Sequence, residues 1–198
     1  TDLLKSITRY ARTVRQSSLV LQELDEAVSR AMGAGGEPGP VYLDFPTDVL
    51  REEVPKPIQM LEHFRPKIVR PLLPHADDVS AAIKILWGAK KPLVISGRGA
   101  RGAQKELCEF LDKLGAAYLD TGESKGLVPD SHPSVVAAMR GKVMGDADVI
   151  VTLGRRLDFQ LAYGSPAVFG SARFVRIGDV PTEVRDNRRG DVEIHANP

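Results

Sequence analysis

Apolar residues follow two spacings along the chain, one typical of helices and one of buried strands. An apolar residue recurs every three or four positions in three segments, which predicts amphipathic helices over 21–32, 77–88 and 103–114. In the first of these, Leu21, Leu24, Val28 and Met32 share the predicted inner face. Strands are predicted over 40–45, 92–96, 117–121, 148–153, 173–177 and 192–195, and 148–153 is a continuous apolar run of the kind buried on both faces of a parallel sheet. Further helices are predicted over 134–144 and 181–187.

The order of these elements indicates the fold class. From residue 75 onward strands and helices alternate with short connections, as in right-handed βαβ units on one parallel sheet. We therefore expect an α/β fold over 75–198, a Rossmann-like doubly wound parallel sheet with helices on both faces.

The first part of the chain has a different organisation. Residues 1–20 fit either a helix, through Ile7, Tyr10 and Val14, or a short strand over 10–14. One helix and one or two strands cannot cover a sheet, so 1–50 is predicted to be the C-terminal remnant of another domain. Residues 51–74 predict an extended linker, because they hold five prolines among charged residues: Pro55, Pro57, Pro66, Pro71 and Pro74. Since the chain begins at Thr1, we expect a piece of a longer protein.

Composition narrows the function classes. Lysine and arginine number 27 against 26 acidic residues, so the net charge of +1 gives no reason to expect a nucleic-acid or membrane partner. The lone Cys108 and four scattered histidines predict neither a disulfide framework nor a metal site. No apolar run approaches the roughly 20 residues of a membrane span and no signal peptide is present, so a cytoplasmic location is expected.

Residues 97–102 (GRGARG) match the GxGxxG pattern between a predicted strand and a predicted helix. Such glycines let backbone amides approach a phosphate, and Asp120, about 20 residues further on, could hold a ribose. One interpretation is therefore the NAD(P)-binding domain of an oxidoreductase, using Gly97, Gly99, Gly102 and Asp120. The other is structural, because any doubly wound domain needs a sharp turn and close helix packing here. An NAD-dependent deacylase ranks lower, since its histidine loop and zinc cysteines are missing.

Other notable side chains have a structural and a functional interpretation. Arg155 and Arg156 follow a predicted strand, where they could contact an anion or the phosphate of coenzyme A, or form a salt bridge with Asp158 or Asp179. The basic residues Arg185, Arg188 and Arg189 are predicted to form a solvated helix end. Trp87 is predicted to pack in the core or at a domain interface. No catalytic residue and no metal ligand is predicted.

Four segments resemble thiamine diphosphate (ThDP) enzymes in the same order, closest to the acetolactate synthase and oxalyl-CoA decarboxylase branch. They are 39–49 (GPVYLDFPTDV), 92–100 (PLVISGRGA), 131–133 (SHP) and 147–158 (ADVIVTLGRRLD). The first is similar to the strand and turn that close the pyrimidine-binding domain of that family. The others are similar to its central domain, so the resemblance assigns 1–50 and 75–198 to these two domains.

The resemblance implies that the parent is a ThDP- and Mg²⁺-dependent decarboxylase, carboligase or lyase acting next to a carbonyl. In that family the cofactor lies between two other domains, one supplying a glutamate and the other a GDG…N segment. The chain would then be the non-catalytic central domain, with ThDP and Mg²⁺ bound outside it. Its partners would be the flanking pyrimidine- and diphosphate-binding domains of the same chain, within a homo-oligomer.

Central domains of this branch can carry FAD or ADP. The residues that would form that pocket are Gly97, Arg98, Gly99, Gly154 and Arg155. The chain departs from the nucleotide-binding relatives at Glu37, where they have an arginine, and at Gly178 and Val180, where they have aspartates. An acid at Glu37 repels a phosphate. The sequence therefore favours a structural spacer with a vestigial pocket over a domain that holds FAD or ADP.

Overall fold

A computed structural model describes residues 1–53, 71–136 and 138–198. The chain divides into two compact units, Thr1–Arg70 and Pro71–Pro198. Most of the predicted linker, including Pro55, Pro57 and Pro66, lies outside the described residues. Within those residues, no helix combines the length and the apolar content that crossing a membrane requires.

The first unit contains two parallel strands, β1 (Tyr10–Thr13) and β2 (Val41–Asp44), and two helices, α1 (Val20–Ala31) and α2 (Thr47–Arg51). The structure thus confirms the strand rather than the helix near residue 10. Among residues 1–53, the buried apolar side chains are few: Val14, Ala27 and Val49. The predicted inner face of α1 is wrong at Val28 and Met32, which are more than half exposed. A two-stranded sheet is too small to cover that face.

The second unit contains a five-stranded parallel sheet with helices between its strands. The strands are β3 (Pro92–Ser96), β4 (Ala117–Leu119), β5 (Val149–Leu153), β6 (Arg173–Gly178) and β7 (Val192–His195). The helices are α3 (Ala76–Trp87), α4 (Gln104–Leu114), α5 (Arg140–Asp146), α6 (Pro166–Phe169) and α7 (Pro181–Val184). A single turn of 3-10 helix at Arg98–Ala100 follows β3.

The strand order β4-β3-β5-β6-β7 confirms the doubly wound fold. Strands that are buried on both faces send alternate side chains into two cores. Val94 contacts the core formed with α3 and α4, whereas Leu93 and Ile95 contact the core formed with α5 and α6. The sheet therefore has helices on both faces, as predicted, and its order reverses between β3 and β5.

The predicted helix over 134–144 is wrong in its first half. The backbone N–H of Tyr118 donates to the carbonyl of Ser134 at 2.7 Å, and the N–H of Val136 donates to the carbonyl of Tyr118 at 3.0 Å. This pairing with the edge strand β4 keeps 134–136 extended, and α5 begins only at Arg140. Of the two positions predicted for Trp87, the core is wrong, because its side chain is 88% exposed at the end of α3.

Candidate functional site

A crevice lies beside the carboxyl ends of β3 and β5, where the strand order reverses. Doubly wound sheets bind their ligands at such a point. The cavity has a volume of about 300 Å³ and is lined by loops that follow β3, β4 and β5, together with α7. Four of the five predicted pocket residues line it: Gly97, Arg98, Gly154 and Arg155. The fifth, Gly99, lies in contact with Gly154 and does not line the cavity.

The first two glycines of the GxGxxG motif are needed because the loop after β3 contacts the loop after β5. A Cβ atom at Gly97 would lie 2.5 Å from the carbonyl oxygen of Gly154, and one at Gly99 would lie 2.7 Å from its Cα. The N–H of Gly99 also donates to that carbonyl at 3.2 Å. Gly102 has open space around it and a φ of +92°, so only its backbone conformation favours glycine. The motif is thus explained without a phosphate.

Arg155 forms the salt bridge with Asp158 that the structural interpretation predicted. Its Nη1 and Nη2 donate to the two carboxylate oxygens, each at 2.8 Å, and Nη2 also donates to Oε1 of Gln160 at 2.9 Å. The hydrogen bond from Arg155 lowers the pKa of Asp158. The Arg155 side chain is only 9% exposed, and its buried Nε has no hydrogen-bond partner among the described residues.

The other arginines near the crevice are also paired. Arg98 forms an ion pair with Glu183 of α7, and Arg156 lies 3.4 Å from Asp158. Arg101 donates from Nε to the carbonyl of Glu123 at 2.8 Å. The cavity lining includes three arginines and three carboxylates, so it carries no formal excess of positive charge. A diphosphate therefore meets a balanced surface rather than a cationic one.

Asp120, the acidic residue that the dinucleotide interpretation requires, does not line the cavity. Strand β4 ends at Leu119, and after Asp120 the chain turns inward at Thr121, whose hydroxyl donates to the carbonyl of Ser96 at 2.6 Å. Ser96 and Tyr118 share a second hydrogen bond of 2.6 Å, and burial raises the pKa of Tyr118. These buried hydroxyls join the ends of β3 and β4 and fix the wall of the crevice.

Arg176, which was not among the predicted site residues, holds the backbone of α7 and of the segment after it, next to the crevice. Its side chain on β6 is fully buried, and Nη1 donates to the carbonyls of Asp186 and Arg188, both at 2.8 Å. Nη2 donates to the carbonyl of Glu183 and to Oδ1 of Asp186, both at 2.6 Å. It thereby fixes the backbone of Glu183, the residue that pairs with Arg98. One arginine in a strand gives no sequence signal for this role.

The predicted solvated helix end formed by Arg185, Arg188 and Arg189 is wrong at Arg188. Its guanidinium lies 4.3 Å from the centre of the Phe174 ring and donates to the carbonyls of Gly164 and Ala172 at 3.0 and 2.8 Å. Arg189 does remain exposed and pairs with Glu193. Arg188 therefore connects the β6 region with the loop before α6, and only part of the cluster is solvated.

ThDP enzymes hold the cofactor diphosphate through Mg²⁺, which prefers carboxylate and carbonyl oxygens. Among residues 1–53, 71–136 and 138–198, no group of three or more His, Cys, Asp or Glu side chains could hold a metal ion. A metal site built from three such side chains is therefore absent from these residues.

Comparison with known proteins assigns the family. Residues 79–198 match the family model described as "Thiamine pyrophosphate enzyme, central domain". The chain is 34% identical over 176 residues to an oxalyl-CoA decarboxylase of Escherichia coli (strain K12), covering 84% of this chain and 30% of that protein. It is 31% identical over 199 residues to a 2-hydroxyacyl-CoA lyase of Arabidopsis thaliana, covering 95% and 34%.

A solved structure gives the same result for the fold. The thiamine diphosphate-dependent 4-hydroxybenzoylformate decarboxylase of Rhodococcus jostii RHA1 matches with a TM-score of 0.70 and 22% identity, over 96% of this chain and 37% of that one. This chain spans about a third of the length of the curated relatives named above. None of these proteins supports the oxidoreductase alternative. The chain therefore belongs to the thiamine pyrophosphate enzyme family and contains the central domain of that family.

Proposed function

We propose that this chain is the non-catalytic central domain, with the end of the pyrimidine-binding domain at 1–50, of a ThDP- and Mg²⁺-dependent enzyme. The whole protein would be a decarboxylase, carboligase or lyase acting next to a carbonyl. The observation that carries this proposal is the family match over 79–198, together with relatives named as a decarboxylase and a lyase. A cytoplasmic location remains a prediction from the sequence.

The cofactor would bind outside this chain, between the flanking domains. Two observations support that placement. The described residues form no group of three or more His, Cys, Asp or Glu side chains that could hold a metal ion, and the crevice at β3 and β5 has balanced charge. The central domain would then act as a rigid spacer. Its sheet, covered by helices on both faces, would fix the distance between the pyrimidine-binding and diphosphate-binding domains. Assembly into a homo-oligomer is part of the proposal.

For the whole protein we infer a substrate that is a coenzyme A thioester, either of oxalic acid or of a 2-hydroxy acid. The support is that two relatives are named for such thioesters, oxalyl-CoA and 2-hydroxyacyl-CoA. The experiment is an assay of the whole protein with both thioesters, with and without ThDP and Mg²⁺. Turnover of at least one thioester that requires both cofactors is expected. Turnover that requires NAD(P)H, or no turnover of either thioester in the loaded enzyme, would contradict the proposal.

The crevice is proposed to be a vestigial nucleotide pocket. Arg98 and Arg155 already pair with Glu183 and Asp158, so ADP or FAD would have to compete with carboxylates that are covalently part of the site. Calorimetric titration of this chain with ADP and with FAD is expected to show no saturable binding up to about 1 mM. An Asp158→Asn variant, which frees Arg155, should gain measurable affinity for ADP. Micromolar binding by the unmodified chain that is lost in Arg155→Met would show a working pocket instead.

A further inference from the structure

Helix α3 presents an apolar stripe on the face that points away from the sheet. Its inner residues Ala82 and Ile85 are buried in the core, whereas Trp87 is 88% and Ile83 50% exposed. These two residues lie four positions apart and therefore share one face of the helix. An exposed tryptophan beside an exposed isoleucine is the composition of an interface hot spot rather than of a solvated helix.

The rest of the stripe consists of small residues. Ala76 and Ser80 are exposed on the same face as Ile83 and Trp87, in the N-terminal half of the helix. When a second copy of α3 lies antiparallel on this face, Trp87 meets the partner's Ala76 and Ile83 meets the partner's Ser80. Large side chains then fill the space above small ones along the whole contact. The stripe is therefore complementary in shape to its own reversed copy, as a two-fold interface requires.

The charges beside the stripe fit the same arrangement. Asp77 and Lys84 are exposed and lie on one flank of the stripe. A two-fold axis perpendicular to the helices keeps that flank on one side of the contact, so Lys84 of each copy meets the partner's Asp77. Lys84 forms no ion pair elsewhere in the described part of the chain, and Asp77 lies 3.7 Å from His75. Parallel pairing would instead put the two charged flanks on opposite sides of the contact, where Lys84 does not meet the partner's Asp77.

We propose that α3 is a two-fold interface on which a second copy of this chain docks by antiparallel helix pairing. One pair of 12-residue helices buries less surface than the 1,200–2,000 Å² or so of a stable complex. The isolated chain is therefore expected to dimerise only at micromolar or higher concentration. In an assembled enzyme this contact would act together with others. The proposal is independent of the cofactor and of the crevice.

Trp87 is the sole tryptophan of the sequence, so its fluorescence reports directly on this face. The experiment follows emission and acrylamide quenching from about 1 to about 500 µM chain, with sedimentation equilibrium on the same samples. We expect the mass to rise toward that of a dimer while emission shifts to shorter wavelength and quenching falls, with one midpoint. A monomer throughout the range overturns the proposal. So does association without a change in Trp87 emission, which would place the contact elsewhere, such as on the exposed apolar residues of the first unit.

A charge exchange tests the antiparallel direction. Lys84→Glu should raise the dimer dissociation constant about ten-fold, because each Asp77 then faces a carboxylate. Adding Asp77→Lys to it should restore most of the affinity. The matched control is Lys113→Glu, the same charge change at an exposed site in the last turn of α4, which should leave the dissociation constant unchanged. Equal effects of Lys84→Glu and Lys113→Glu, or failure of the double variant to recover while its thermal unfolding is normal, would overturn the arrangement.

Discussion

Gly99 and Gly154 lie in backbone contact where the loops after β3 and β5 meet. A Cβ atom on Gly154 would lie only 2.3 Å from the Cα of Gly99, and Gly154 also has a left-handed φ of +54°. Both loops line the crevice, so this contact fixes how closely they approach each other there. The glycine-rich sequence after β3 is therefore required by the fold of the domain, whether or not any ligand binds there.

The first prediction concerns this contact. Gly154→Ala should lower the free energy of unfolding by about 2–4 kcal/mol, because the added methyl group collides with backbone and the left-handed conformation disfavours alanine. The control is Gly141→Ala in α5, where a methyl group meets nothing within 4 Å. That variant should be neutral or up to about 1 kcal/mol more stable. Urea unfolding measures both, and equal stability of the two variants would refute the steric explanation.

Arg176 gives a second prediction. Arg176→Met should lower the free energy of unfolding by about 3–5 kcal/mol, since it leaves the partly buried carboxylate of Asp186 and three backbone carbonyls without their guanidinium donor. Arg173→Met on the same strand is the control. Arg173 is half exposed and lies 3.5 Å from Asp191, so its loss should change the free energy by less than about 1 kcal/mol. Similar denaturation midpoints for the two variants would show that Arg176 does not hold the segment around Asp186.

The ion pair of Arg155 and Asp158 predicts a dependence on pH. The hydrogen bond from Arg155 lowers the pKa of Asp158 from its ordinary value of 3.8. A carboxyl whose pKa is lower in the folded state stabilises that state above its unfolded pKa, and the contribution disappears as the pH falls through the folded pKa. Asp158→Asn should therefore cost about 1–3 kcal/mol at pH 7, and progressively less as the pH falls below about 4.

The measurement is the difference in unfolding free energy between the unmodified chain and Asp158→Asn, at several pH values from 7 to about 3. Asp130→Asn, at an exposed position in the loop after β4, is the control and should show a difference near zero at every pH. A cost of Asp158→Asn that stays constant across the acid range would mean that the carboxylate charge is not what stabilises this loop.

Where local sequence determines structure, it was sufficient to predict the fold. Strands β3 and β7 begin and end at the predicted residues, because β3 is an apolar run between Lys91 and Gly97, whereas β7 alternates Val192 and Ile194 with polar residues. Gly115 ends α4 as predicted, with a φ of +61°. The segment at 134–136 was mispredicted because its conformation depends on pairing with Tyr118, which lies in another element.

The candidate site was predictable only in part. The sequence predicted which glycines and arginines surround the crevice, but it left open whether a phosphate or close packing is the reason for Gly97 and Gly99. Their neighbour is Gly154, distant in sequence, and only the fold reveals that approach. The burial of Arg176 and the exposure of Trp87 were likewise hidden, because both depend on which face of an element other elements cover.

The most direct test of the account is a calorimetric titration of this chain with ThDP in the presence of Mg²⁺. If the cofactor site is formed by the domains on either side of the central one, this chain alone does not bind ThDP. No saturable binding heat is then expected up to about 1 mM ThDP from a chain that unfolds cooperatively. Specific micromolar binding that requires Mg²⁺ would contradict it, because the chain would then contain the cofactor site itself.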